Sequence, residues 1–143
     1  MRPAAALGCA VNGGIFFAFS SFVMPALHRL GPERATAAMN AINVTAVRAP
    51  FMVALFGTAA LTVATGISGV RNRDALLIAG SAVFLVGVIG VTIGYHVPIN
   101  DALAKGSTTW QDYAPGWTAV NHVRAASGIA AAALIGASAL RGS

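Results

Sequence analysis

Four long apolar blocks separated by short polar stretches set the plan of the chain. The first runs from Ala4 to Leu27, with Asn12, Ser20 and Ser21 as its only polar side chains. The second runs from Phe51 to Val70, opened by Pro50 and closed by the turn Arg71-Asn72-Arg73-Asp74. The third, Ala75 to Val97, keeps its ionisable side chains, Tyr95 and His96, at its far end, where Pro98 is expected to stop it. The fourth, from about Thr118 to Leu140, carries Asn121, His122 and Arg124 in its first two turns. Crossing the hydrocarbon core takes about 20 apolar residues in a helix. The pattern therefore predicts spans at approximately 4–27, 51–70, 75–97 and 118–140.

Helices in lipid associate by close packing over small residues, because lipid tails are as apolar as leucine. Stripes at four-residue spacing supply candidate seams: Ala10, Gly14 and Ala18; Thr58, Thr62 and Gly66; Gly90 and Gly94; Gly128, Ala132 and Gly136. The same stripes leave room for a homo-oligomer. Between the first two spans, Pro32 suits a first helical turn, and Ala35, Ala38, Met39 and Ile42 mark one apolar face of a short amphipathic helix. Pro98 to Gly116 reads as a structured loop between the third and fourth spans. With four crossings both long connections share one side, an elaborated mouth opposite a bare end of termini and one short turn. The predicted fold is all-α, an integral membrane four-helix bundle forming a single transmembrane domain over residues 1–143. Its expected place is the cell membrane, multi-pass and surrounded by lipid.

Composition agrees. The 143 residues are 57% hydrophobic and only 9% charged, against about 25% in a soluble domain. The net charge of +5 is dispersed singly between apolar blocks and makes no basic stripe, so nucleic acid is not an expected partner. Lys and Arg divide almost evenly between the two ends and do not orient the chain by the positive-inside rule. The single cysteine, Cys9, rules out an intrachain disulfide and dithiol exchange. The first block is too long for a signal-peptide core and is expected to stay in the mature protein.

The candidate chemistry gathers at the mouth. Trp117, Asn121, Arg124 and Gly128 follow steps of four, three and four, one stripe of a helix. Arg124 either snorkels to the interface or faces the bundle interior, and its stripe with Asn121 and Trp117 points inward. Asn40, Asn43, Asn100, Asp101 and Trp110 fall at the same end, although Asn100 could simply cap a short helix. Apolar walls with a few polar groups suit a small-molecule pocket. His28, His96 and His122 also fall there, but without any metal-ligand spacing, so no metal is expected. His122 points about 100° away from Asn121 around the helix.

Several phrases together resemble one family: Gly14-Ile15-Phe16-Phe17-Ala18-Phe19-Ser20 with Val23-Met24-Pro25-Ala26-Leu27; Met39-Asn40-Ala41-Ile42-Asn43; Val97-Pro98-Ile99-Asn100-Asp101-Ala102-Leu103-Ala104; and Trp117-Thr118-Ala119-Val120-Asn121-His122-Val123-Arg124. In this order they resemble the anthrone oxygenase-like family of small membrane proteins. The resemblance implies oxidation of an anthrone, a flat aromatic substrate, to an anthraquinone. Molecular oxygen would be the co-substrate, with no metal or flavin cofactor. It implies that Arg124, Asn121 and Asn100 hold an oxyanion, that Asp101 or His122 is the base, and that Trp110 and Trp117 stack on the ring system, with Asn40 and Asn43 beside them. The rival expectation is a non-enzymatic membrane protein: a lipid- or quinone-binding module, or an accessory subunit of a larger complex.

Overall fold

The computed structural model describes residues 1–141, so two residues of the expected single domain lie outside the described ones. Five helices are present among the described residues: α1 (Arg2–His28), α2 (Pro32–Ala46), α3 (Phe51–Asn72), α4 (Ala75–Ala104) and α5 (Trp110–Arg141). All but α2 are long and apolar enough to cross a membrane. Even α3, the shortest of the four, extends about 33 Å at 1.5 Å per residue, enough for a hydrocarbon core of about 30 Å. The chain is a multi-pass membrane protein built as a four-helix bundle.

Two helices run beyond their expected bounds. Pro98 does not stop α4, because the preceding turns, Leu85–Gly90 and Thr92–His96, are π-helical. In such wide turns carbonyls pair five residues on, so the missing N–H of Pro98 and its clash with the carbonyl four residues earlier are absorbed. The same device precedes Pro25, where Phe19–Val23 forms a π-turn within α1. The fourth span begins at Trp110 and takes in Pro115, which sits on an exposed side beside exposed Gln111. The expected loop from 98 to 116 is thus mostly helix, closed by a turn over 105–109, and Asn100 lies inside α4 instead of capping a helix.

The bare half packs backbone to backbone. A Cβ placed on Gly128 would lie 2.7 Å from the Gly13 Cα, so α1 and α5 touch at a glycine pair. Gly69 meets Leu77 and Ile78, Gly66 meets Ser81, and Gly80 meets Ile135, which draws α3, α4 and α5 together. The predicted stripe of Thr58, Thr62 and Gly66 packs inward and Gly128 lies on a seam, whereas the stripes on α1 and α4 are shifted in register. Ala10 is exposed, and Gly14, Gly94 and Gly136 face open space; the seam on α1 is Ala5, Cys9 and Gly13. Ala and Gly occupy so many positions that spacing alone defines several equal stripes. The choice falls to Asn12, which must be inside: its amide donates to the Gly8 and Ala54 carbonyls and to Thr58 Oγ1.

At the mouth, α2 lies across the bundle with Ala35 and Met39 buried against Met24, Leu27, Leu103, Trp110, Tyr113 and Trp117. Its predicted apolar face is the face it buries. Gly31, at φ 82°, takes the left-handed turn that lets α2 fold back from α1.

Candidate functional site: a buried arginine among aromatic and amide side chains

The site is assembled by the irregular turns. On α4, Phe84, Val88, Thr92, His96 and Asn100 recur at steps of four along the inward side. In a regular helix such a series drifts about 40° per step. Two wide turns hold these residues in line instead. Opposite them stands the predicted α5 stripe of Trp117, Asn121, Arg124 and Gly128, all buried. The π-turn of α1 brings Ser20 to the same level.

Asn121 is the pivot. Its amide nitrogen donates to the Phe16 carbonyl and to Ser20 Oγ, both at 2.7 Å. That fixes its oxygen toward Arg124, which donates to it from Nε at 3.1 Å and Nη2 at 2.7 Å. Arg124 Nη1 donates to Thr92 Oγ1 at 3.3 Å, and Thr92 in turn donates to the Val88 carbonyl. The guanidinium lies 4.3 Å from the Phe16 ring centre and 5.4 Å from that of Trp117. These contacts reduce its desolvation cost without neutralising it.

Arg124 is 6% exposed, so it faces the interior and does not snorkel. All its hydrogen-bond partners are neutral. The chain has four carboxylates, and they stand elsewhere: Asp74 on Ser138, Asp112 on Thr109, Glu33 and Asp101 exposed. A guanidinium has five N–H donors, and two remain after these bonds. Among the described residues, Arg124 is a buried cation without an anion.

A second layer lies toward the mouth. Asn100 Oδ1 accepts from the Tyr113 hydroxyl at 2.7 Å and from Trp117 Nε1 at 3.0 Å, while its amide donates to Asn43 Oδ1 at 3.1 Å. Asn40 Oδ1 is buried there with no partner, and Asn43 Nδ2 makes no hydrogen bond of good geometry, only a weaker polar contact with the Tyr113 hydroxyl. Trp110 is buried two turns further out, 5.8 Å from Tyr113, with its indole N–H on His28 Nδ1.

Two expected residues are not in the cluster. Asp101 is exposed because α4 continues through it, turning it about 100° from Asn100. His122 is exposed for the same reason relative to Asn121. It lines an open groove of about 720 Å³ between α1 and α5 with Met24, His28, Trp110 and Ala114. The three histidines do not converge, and no group of three metal-ligating side chains forms among the described residues. Four residues of the cluster, Ser20, Thr92, His96 and Tyr113, carry no spacing signal that marks them as site residues. Their placement depends on π-turns and on the extension of α4, neither of which hydrophobic periodicity reveals.

The fold and site thus define a multi-pass helical bundle with a cation and amides buried near mid-helix, because α5 begins at Trp110 and so carries Asn121 and Arg124 well into the bundle. The sequence model of the Anthrone oxygenase family matches residues 38–134, which include α3, α4 and most of α5, and the chain belongs to that family. No curated protein and no solved structure matches the chain.

Proposed function

We propose that the chain is a membrane-embedded oxygenase that converts a flat hydroxylated anthrone, or a similar phenol, to the quinone with molecular oxygen. It does so with no metal or organic cofactor. The family supports the oxygenase class. The observation that carries the reading is Arg124, a buried guanidinium with neutral partners only.

Removing a proton from the reacting CH₂ of an anthrone sends the electron pair to the carbonyl oxygen and leaves an aryloxide. Such an anion is electron-rich enough to react with oxygen directly. Stabilising it requires pre-oriented donors in a site from which water is excluded. The two unused N–H groups of Arg124 meet that need, and Asn121 holds the guanidinium fork in place. Trp117 forms the aromatic wall, held by Asn100. At the mouth, Asn43 Nδ2 and Asn40 Oδ1 offer a donor and an acceptor to the hydroxyls of the substrate's outer rings.

The test is oxygen uptake and quinone formation by the purified chain in detergent, against the spontaneous oxidation of the same hydroxylated anthrone. Acceleration that is lost in Arg124→Ala and Asn121→Ala chains of native thermal stability supports the reading. No acceleration with that anthrone and related phenols rejects it. The groove between α1 and α5 favours a second reading, a lipid- or quinone-binding module without turnover. That reading predicts saturable quinone binding that is unchanged in the Arg124 and Asn121 chains.

A further inference from the structure

With Asp101 and His122 outside the cluster, the oxygenase reading lacks a base. We propose that His96 is the proton acceptor of the reaction, a role that rests on that reading. His96 is 1% exposed and packed edge-on against Trp117, with ring centres 5.0 Å apart, and against Tyr95 at 5.3 Å. Neither ring nitrogen makes a hydrogen bond of good geometry, and the Val91 and Trp117 backbone supplies only weaker polar contact. Leaving a buried polar group unpaired costs about 1–3 kcal/mol. An imidazole kept only for packing would be better replaced by an apolar ring, so nitrogens without a well-formed hydrogen bond point to a partner that arrives with substrate.

Position supports the same role. Trp117 touches both His96 and the Arg124 guanidinium, so one aromatic wall joins the proton acceptor to the oxyanion holder. The other polar side chains nearby are engaged: Thr92 with Arg124 and Val88, Asn121 with Ser20 and Arg124, Tyr113 with Asn100. Among the described residues His28 and His122 are exposed and the carboxylates stand elsewhere. That leaves His96 as the basic group within the cluster.

The step balances as follows. A His96 nitrogen takes one proton from the substrate CH₂, and the C–H electrons form the aryloxide beside Arg124. The anion gives one electron to oxygen, and the resulting radical and superoxide join in a C–O bond to make a peroxide anion. Protonated His96 returns its proton to give the hydroperoxide. His96 then takes the second proton from the same carbon as the O–O bond breaks and the C=O bond forms. The departing hydroxide recovers that proton and leaves as water. The CH₂ is oxidised to C=O, oxygen is reduced, and His96 ends unchanged.

The test uses the full chain in detergent with His96→Gln, His96→Phe and His96→Ala, a substrate deuterated at the reacting carbon, and quenching of tryptophan fluorescence by the quinone product. The expected result is a kcat lower by about a hundredfold to ten-thousandfold in all three chains. Quinone binding should stay within about threefold of native, and added imidazole should partly rescue His96→Ala. The residual rate should show a larger deuterium effect than native. Retention of native kcat by His96→Gln or His96→Phe overturns the assignment while leaving the oxygenase reading intact. Loss of quinone binding in step with kcat in all three chains overturns it in favour of a packing role. A native chain that does not accelerate the reaction overturns both.

Discussion

The bare half and the mouth half of the bundle are held together by different means. In the bare half α1 meets α5 through the Gly13–Gly128 pair, and α3, α4 and α5 close over Gly66, Gly69 and Gly80. Polar contacts there are few: the buried Thr62 hydroxyl donates to the Ala59 carbonyl of its own helix, and Ser138 Oγ donates across to Asp74. In the mouth half the helices open into π-turns, the core is aromatic, and amides bond across helices from Asn43 through Asn100 to Tyr113 and Trp117. Small-residue seams are a strong way to join helices in lipid. A bundle fastened by close seams through one half can hold, just beyond them, an unpaired cation and an imidazole without a well-formed hydrogen bond. Stability and chemistry are therefore expected to separate by level, and the predictions test that separation.

Of the changes that test this separation, the largest effect is expected at Arg124. Arg124→Met should lower kcat by about a hundredfold to a thousandfold, the usual cost of losing an oxyanion donor. Thermal unfolding in detergent should move little, because removing a buried charge relieves its desolvation cost while leaving Asn121 Oδ1 without a donor, and the two effects oppose each other. A marked fall in unfolding temperature would place the guanidinium among the structural supports and break the contrast between halves. The opposite pattern is expected at the seam. Gly80→Leu forces α4 and α5 apart beside Ile135, away from the arginine cluster, and should cost about 1–3 kcal/mol or more. Activity per folded molecule should hardly change. Gly136→Ala is the control, since nothing lies near that position, and it should have no effect.

Asn100 tests the boundary between the two regimes. Asn100→Ala leaves the Tyr113 hydroxyl and the Trp117 indole N–H unpaired inside the bundle. A loss of about 1–3 kcal/mol is expected for groups so stranded. Activity should fall too, by about tenfold, because Trp117 loses the bond that holds its ring beside Arg124. Both readouts should move together here, unlike at either Arg124 or Gly80.

The fold was legible because four apolar blocks of membrane-crossing length admit few arrangements, and the face of α2 was legible because Ala35 and Met39 fall at helical spacing. The α5 half of the site was legible for the same reason: α5 is regular, so Trp117, Asn121 and Arg124 share the stripe that their spacing gives. The α4 half was not. A reading at 3.6 residues per turn places Gly90 and Gly94 on a seam, whereas two π-turns rotate that seam away and bring Thr92 and His96 inward. Proline misled in the same region, since Pro98 stops a regular helix but follows a wide turn without stopping it. Asp101 and His122 carry suitable chemistry beside Asn100 and Asn121 in sequence, but an adjacent position on a helix faces elsewhere.

The smallest effect is expected at the bare end, at Asp74. Its carboxylate caps α4 by accepting from the Leu76 and Leu77 amides and takes a hydrogen bond from Ser138 Oγ across to α5. The Ser138 bond, the two amides and the charge of Arg2 together hold its carboxyl below the usual carboxylate range. A carboxyl depressed in the folded state adds stability above its unfolded value of about 4, and that stability is lost as pH falls through the lower folded value. Asp74→Ala should therefore unfold a few degrees earlier than native at neutral pH, Asp74→Asn less so because asparagine also caps. The gap between native and Asp74→Asn should close on acidification, with kcat at neutral pH unchanged in both. A gap that persists in acid would mean that Asp74 acts through its shape and not its charge. A fall in kcat would mean that the bare end and the mouth are coupled after all.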